Sequence, residues 1–227
     1  MISGHGNIET AVSAIKRGAY EFLEKPFKSD RLLLVVERAL EAAELRRENR
    51  RLRARTLTPD GLIGRSPAVQ QLRGLITKLA AANSRVLISG PPGAGKETVA
   101  RMIHAASPRA RGEFMVISAA GMTPERVDIE LFGEEGDAGR PAKIGVFERA
   151  HGGTLYLDEV ADMPRETQSR ILRVLVEQRF RRVGGDSDVQ VDVRVVSSTC
   201  RDLRMEIAEG RFREDLFHRL NVVPLSV

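Results

Sequence analysis

A chain of 227 residues with 42% hydrophobic and 30% charged side chains is ordinary for a soluble globular protein and long enough for one α/β domain and part of another. The single cysteine excludes an internal disulfide framework and suits a reducing cytoplasm, and the longest aliphatic run, Leu32 to Val36, falls far short of the ~20 residues that cross a bilayer. Net charge is +5, the isoelectric point is about 9.8, and a start reading Met1-Ile2-Ser3-Gly4-His5-Gly6 has no signal-peptide character, so no membrane partner is expected.

Residues 1–28 have a strand–turn–helix–strand rhythm: Met1-Ile2-Ser3, a helix from Asn7 to Arg17 stopped by Gly18, then the strand Tyr20-Glu21-Phe22-Leu23, ended by Lys25-Pro26. Ser29 or Asp30 caps a second helix whose apolar Leu33, Val36, Leu40 and Ala43 share one side. Leu45 and Leu52 extend that stripe toward a short coiled coil between protomers. The excess positive charge is local: between Arg46 and Arg55 stand six arginines against one glutamate. Such a stripe fits either a nucleic-acid partner or a solvated linker helix with Glu–Arg pairs, the second being the plainer reading. Thr56 to Gly61 is a linker punctuated by Pro59 and Gly61, which sets segments at 1–28, 29–61 and 62–227.

After the linker, Ser66-Pro67 opens a helix with Val69, Leu72, Ile76 and Leu79 on one face through Ala81. Strands then alternate with helices: Val86 to Ser89, Phe114 to Ser118, Leu155 to Leu157, Val191 to Ser198 and Val222 to Val227. That alternation predicts an α/β fold with a mostly parallel sheet covered on both faces.

Between the first of these strands and its helix lies Gly90-Pro91-Pro92-Gly93-Ala94-Gly95-Lys96-Glu97, a phosphate-cradling P-loop pattern. Glycines permit close backbone approach, N–H groups point at the anion, and Lys96 reaches the terminal phosphates at a helix N-terminus. Glu97 stands where the general pattern has a hydroxyl for magnesium, and Thr98 is the substitute one place on. Thr154-Leu155-Tyr156-Leu157-Asp158-Glu159 reads as a buried strand ending in two carboxylates, assigned as Asp158 for Mg²⁺ and Glu159 for the attacking water. Singly, the first could be an empty glycine turn and the second a solvated acidic pair; their order in one chain favours a triphosphate site.

Two resemblances follow from longer motifs. Ser3-Gly4-His5-Gly6 and the run from Ala14 to Phe27 resemble the closing third of a two-component receiver domain, a flavodoxin-like fold. The resemblance implies that Ser3 senses the phosphoryl group, Lys25 is its ion-pair partner and Phe22 is the aromatic that reorients on activation, with the phosphoacceptor aspartate upstream of Met1. From Leu62 to Val227 the chain resembles the AAA+ domain of bacterial enhancer-binding proteins, the activators that remodel sigma-54 RNA polymerase. The match rests on Gly95-Lys96-Glu97, Glu130-Leu131-Phe132-Gly133, Ala150 to Glu159 and Gly210-Arg211-Phe212-Arg213-Glu214-Asp215-Leu216-Phe217-His218-Arg219-Leu220-Asn221.

That likeness implies ATP and Mg²⁺ as ligands, Leu62, Ile63 and Gly64 along the adenine, and Arg213 and Arg219 presented to a neighbouring subunit's ATP in a homo-oligomer, dimer to ring. Local pairing of both arginines with Glu214 and Asp215 is the alternative. It further implies a cytoplasmic NtrC-type response regulator of the NtrX-like branch, acting in nitrogen regulation, with a cognate sensor histidine kinase. The helical lid and a DNA-binding C-terminal domain would lie beyond Val227. Three departures are informative. Glu134 to Ile144 lacks the aromatic and threonine of the family's Gly-Ala-Phe-Thr-Gly-Ala loop, which leaves sigma-54 contact without its usual residues. Ser118 replaces a coupling asparagine, and Cys200, read as a small buried residue, replaces a polar sensor. Slow hydrolysis and nucleotide-gated assembly are therefore expected. Two rivals are a DNA-binding regulator whose core does not remodel sigma-54, and a small-molecule kinase on a P-loop fold.

Overall fold

The structure, a computed structural model, describes residues 2–3, 20–56, 61–136 and 141–227. The expected helix Asn7–Arg17 with its stop Gly18, the linker at 57–60 and the loop positions Asp137 to Arg140 lie outside the described residues, as do the side chains of Ser3, Leu45, Leu52 and the arginines from Arg46 to Arg55.

The chain divides into two compact units, 1–59 and 60–227. In the first, β1 (Ile2–Ser3) runs parallel to β2 (Leu23–Glu24), with Ser3 opposite Glu24, and α1 (Ser29–Thr56) follows. The expected strand Tyr20–Leu23 shrinks to Leu23–Glu24 because only Leu23, 4% exposed, is buried, whereas Tyr20 is 47% exposed. Leu33, Val36 and Leu40 of α1 are all exposed.

The second unit begins with α2 (Pro67–Ala81), whose N-cap Ser66 accepts a hydrogen bond from the Val69 N–H and whose first residue is the proline that needs no donor there. Then come β3 (Val86–Ser89), α3 (Lys96–Ala105), β4 (Phe114–Ser118), α4 (Pro124–Phe132), α5 (Val146–Arg149) and β5 (Thr154–Asp158). After a 3₁₀ turn follow α6 (Arg165–Glu177), β6 (Arg179–Arg181), β7 (Asp188–Gln190), β8 (Arg194–Thr199), α7 (Leu203–Ala208), α8 (Glu214–Leu220) and β9 (Val223–Ser226).

Five strands form one all-parallel sheet in the order β4-β5-β8-β3-β9. Parallel strands need crossover connections, so the sheet is covered on both faces and successive strand residues enter opposite cores. Leu87, Leu155, Leu157 and Val195 pack with α4, α5, α6 and α8, while Val86, Ile88, Tyr156, Val196 and Leu225 pack with α2 and α3. Each fully buried Leu, Ile or Val side chain contributes about 1.5–3 kcal/mol, which explains why these strands read as unbroken apolar runs.

The expected strand Val191–Ser198 begins later, at Arg194. The Val191 N–H donates to the Gln178 carbonyl, which closes the antiparallel β6–β7 hairpin ahead of β8, a pairing the sequence did not announce. The short loop after α4 is cinched at its base: the Glu134 and Lys143 backbones exchange two hydrogen bonds of 2.9 Å, and the Glu135 N–H donates to the Val183 carbonyl. Because all five strands run one way, the turns after β3, β5 and β8 emerge at one edge of the sheet, the crevice where open α/β sheets bind ligands.

Candidate functional site

The turn after β3 is shaped by backbone more than by side chains. Gly93 and Gly95 have φ of +79° and +86°, left-handed values that a side chain would strain, and the Ala94 N–H closes a turn on the Pro91 carbonyl at 3.2 Å. Gly95 is the N-cap of α3 and offers no side-chain acceptor, so the first amides of that helix remain for an anion. Lys96 opens α3 and is only 7% exposed. Its ammonium donates to the Gly90 carbonyl at 3.0 Å and the Pro91 carbonyl at 3.2 Å, and lies 3.0 Å from Glu159 Oε1. Glu97 is exposed and pairs with Arg101 one turn on, so the residue unusual for this turn points away from it, while Thr98 is half-buried.

The acidic end of β5 meets that turn across the sheet. Glu159 has φ of +49°, a left-handed conformation costing on the order of 1–3 kcal/mol for a residue with a Cβ. The cost is offset by four contacts: its N–H donates to Ser198 Oγ at 3.2 Å, Oε2 accepts the Cys200 N–H at 2.7 Å, Oε1 faces Lys96, and the Cys200 thiol also bonds the carboxylate. Burial raises the carboxyl's pKa, but the bonds from Lys96 and Cys200 together outweigh it and hold Glu159 below the ordinary glutamate range. Cys200 is exposed, not the small buried residue expected, because β8 ends at Thr199 and the chain turns outward there. Asp158 accepts two hydroxyl donors at Oδ1: Tyr156 at 2.9 Å and Ser198 at 2.7 Å. Ser118 of β4 lies opposite Asp158 in the parallel register.

The segment entering the unit is fastened to α2 and α3. A Cβ on Gly61 would come within 2.9 Å of Thr98 and Met102, so the chain crosses α3 closely there. Leu62 packs against the core that includes Ile76, Val99 and Ile103, Ile63 is 95% exposed, and Gly64 has φ of +132°. Arg73 holds this ledge by donating to the Leu62 carbonyl and, at 3.1 Å, to the Gly64 carbonyl. Nothing local marks Arg73, since an arginine on the polar side of an amphipathic helix reads as solvated.

Arg213 is the N-cap of α8 and Arg219 lies in its last turn. The Arg213 N–H donates to Gln168 Oε1 at 2.9 Å, and its guanidinium bonds Ser169 Oγ at 3.2 Å and both Asp215 oxygens at 3.0 and 2.6 Å, so the local pairing weighed from the sequence is present. Arg219 is exposed; its carbonyl accepts from Arg85 at 3.0 Å, and Arg85 also holds the Leu175 carbonyl at 2.9 Å. Burial first, then Arg219, lowers the Arg85 pKa. In the first unit, Lys25 is exposed and Phe22 half-buried beside β2, while of Ser3 only the backbone is described. The structure thus joins the loop and the acidic pair, and it pairs the Arg213 guanidinium with Asp215 while Arg219 is exposed on α8.

Among the described residues no group of three or more His, Cys, Asp or Glu forms a protein metal cage. Magnesium takes one or two carboxylates and completes its shell with phosphate oxygens and water. Asp158 beside the turn and Thr98 on α3 are the residues that would hold it. No helix among the described residues is long and apolar enough to cross a membrane.

Comparison with known proteins then places the second unit. The family model of the Sigma-54 interaction domain matches residues 62–226. Over its whole length the chain is 63% identical to the nitrogen assimilation regulatory protein NtrX of Azorhizobium caulinodans, of which it covers 50%. The crystal structure of NtrX from Brucella abortus superposes with a TM-score of 0.85 at 63% identity, covering 100% of this chain and 50% of that one. The structure of that Brucella protein in complex with ATP gives 0.82 at 63% identity, covering 100% and 49%. The chain therefore spans about half the length of the curated relatives it matches.

Proposed function

This chain belongs to the Sigma-54 interaction domain family, and from that membership we propose that it binds ATP·Mg²⁺ between the Gly90–Thr98 turn and the Asp158–Glu159 pair, as the core of a two-component transcription regulator of nitrogen metabolism. One observation carries the reading: Lys96 of the turn and Glu159 of the acidic strand end touch at 3.0 Å, so the two motifs meet at one place. The ATP complex of a protein 63% identical supports the choice of nucleotide.

The parts of Lys96 and Glu159 follow from their geometry, and those of the other residues from the family resemblance. Lys96, buried and already donating to loop carbonyls, exchanges those acceptors for β- and γ-phosphate oxygens, and the uncapped amides of α3 take the remaining charge. Bound magnesium supplies charge neutralisation across the phosphates. Glu159 accepts the proton of the attacking water, and phosphate displacing Lys96 frees its carboxylate for that work. Leu62, Ile63 and Gly64 form the apolar ledge for the adenine, and covering Ile63 gives the base part of its binding energy. Arg213 and Arg219 serve a neighbouring copy's nucleotide, which makes turnover depend on assembly into a homo-oligomer. In the first unit, Ser3, Phe22 and Lys25 act as the switch of a receiver whose sensor kinase phosphorylates the parent protein, and promoter DNA is bound outside this chain.

Sigma-54 contact is the weaker arm. The loop base pinned by Glu134 and Lys143 is followed by no aromatic or threonine as far as Ile144, which favours a regulator that binds ATP and DNA without remodelling sigma-54. Calorimetric titration of the purified chain with ATP and Mg²⁺, followed by sedimentation, is expected to give binding and a nucleotide-dependent rise in mass. Absence of both sinks the proposal, and ATP-driven open-complex formation on a sigma-54 promoter would reject the second reading.

Arg73→Ala is expected to weaken ATP binding about tenfold, the worth of charge-assisted bonds that hold the adenine ledge, while leaving inorganic tripolyphosphate binding as it was. Equal losses for both ligands would show that Arg73 serves the fold and not the base.

A further inference from the structure

The chemistry above gives no part to the buried hydroxyl of Tyr156, which lies beside the acidic pair. We propose that Tyr156 is a positioning residue that, with Ser198, fixes the carboxylate of Asp158 for a divalent cation. The inference rests on the reading of Asp158 as the carboxylate that holds magnesium.

The strand geometry makes the contact unavoidable. Residues two apart on a strand share a face, so Tyr156 and Asp158 of β5 point to the same side of the sheet. Tyr156 is wholly buried between α3 and the sheet, and its ring stacks on Phe114 of the neighbouring strand with centroids 6.1 Å apart and planes 19° apart. A ring locked on that side has one direction in which to send its hydroxyl, and 2.9 Å away it meets Asp158 Oδ1.

The second donor arrives from β8. Tyr156 faces Val196 and Leu157 faces Ser197 in the parallel register, which brings Ser198 beside the strand end. Ser198 Oγ accepts the Glu159 N–H at 3.2 Å, and this fixes its proton toward Asp158 Oδ1 at 2.7 Å. Two hydroxyls from two strands thus converge on a single oxygen. They stop rotation of the carboxylate and make Oδ2 the oxygen available to a cation. Magnesium demands near-ideal octahedral geometry, and groups that orient its ligands typically change metal affinity 10–100-fold.

A plain alternative exists: a buried phenol needs an acceptor, and Asp158 is the nearest. The two accounts differ in what the hydroxyl controls. Tyr156→Phe keeps the ring, its stacking and its volume and removes only the donor. In the full chain, ATP affinity measured by calorimetry in EDTA is expected to match the wild type. The Mg²⁺ concentration giving half of the metal-dependent gain in affinity is expected to rise about tenfold. A lowered melting temperature with an unmoved Mg²⁺ midpoint would overturn the positioning role and leave the hydroxyl a structural bond. Should Tyr156→Phe fold poorly, Ser198→Ala removes the other donor to the same oxygen and is expected to move the midpoint in the same direction; an unmoved midpoint there overturns the proposal as well. A wild-type chain that binds ATP with no response to Mg²⁺ would remove the role of Asp158 itself. A wild-type response with an unshifted variant removes only the role of Tyr156.

Discussion

Lys96→Ala is expected to abolish ATP binding in the calorimeter, with a loss of at least about 100-fold, while the chain remains folded. The size follows from where the ammonium sits. It is 7% exposed, so a phosphate bound beside it gains a charge-assisted bond in a poorly solvated place, and truncating one partner of such a pair costs about 2–5 kcal/mol. The effect on the fold is smaller. In the unliganded chain Lys96 donates to two carbonyls of residues that stand at the surface or half-exposed, where water can replace it. Glu159 keeps the Cys200 N–H at 2.7 Å and the Ser198 contact of its own backbone. A contrary outcome is easily recognised: a variant that melts earlier and binds ATP as the wild type does would make the Lys96–Glu159 pair a structural ion pair and the turn an empty one.

How much of this was legible in the sequence depends on whether the cause was local. The loop from Gly90 to Lys96 is a contiguous code in which each residue type meets a backbone demand, left-handed φ at Gly93 and Gly95 and an uncapped helix start at Lys96. The strands Val86–Ser89 and Phe114–Ser118 agree with the expected bounds: the first is buried on both faces, which admits few polar residues, and the second is an apolar run at the edge of the sheet, where Val116 is exposed. Helix α2 begins at Pro67 as its Ser-Pro start requires. The β6–β7 hairpin escaped notice for the opposite reason. Arg179 and Arg181 alternate with the one buried residue, Phe180, and the ladder is braced by the Arg181–Asp188 ion pair, so its pattern reads as a charged surface run. The run Val191 to Val193 reads as strand, yet Val191 is committed to the Gln178 carbonyl.

The supporting parts of the site were illegible because each reaches across the chain. Arg73 grips carbonyls 11 and 9 residues earlier, Ser198 reaches 40 residues back to Asp158, and Arg85 reaches forward to Leu175 and Arg219. No motif encodes a partner that only the fold brings near. Tyr156 could have been singled out: a phenol between two leucines in a buried strand must find a partner for its hydroxyl, and the residue two places on carries a carboxylate.

Arg213→Ala and Glu159→Gln are each expected to lower ATP turnover about 1,000-fold and, when co-assembled in equal amounts, to restore about a quarter of wild-type turnover. The local pair between Arg213 and Asp215 does not argue against this. Arg213 is 33% exposed and Asp215 49%, and exposed ion pairs are worth only about 0–1 kcal/mol, which a phosphate's charge readily replaces. The α8 start is held by the backbone, since the Arg213 N–H donates to the buried Gln168 side chain, so removing the guanidinium leaves the helix in place. Glu159→Gln likewise keeps the shape of the acidic strand end while removing the base. In a mixed ring a competent interface needs Glu159 from one copy and Arg213 from the next, and random assembly supplies that combination at about one interface in four. If the arginine served its own subunit's nucleotide, every copy would carry one defect and mixing would restore nothing. A co-assembled mixture as inactive as its parents would therefore return Arg213 to a purely local role and remove the reason for turnover to depend on assembly.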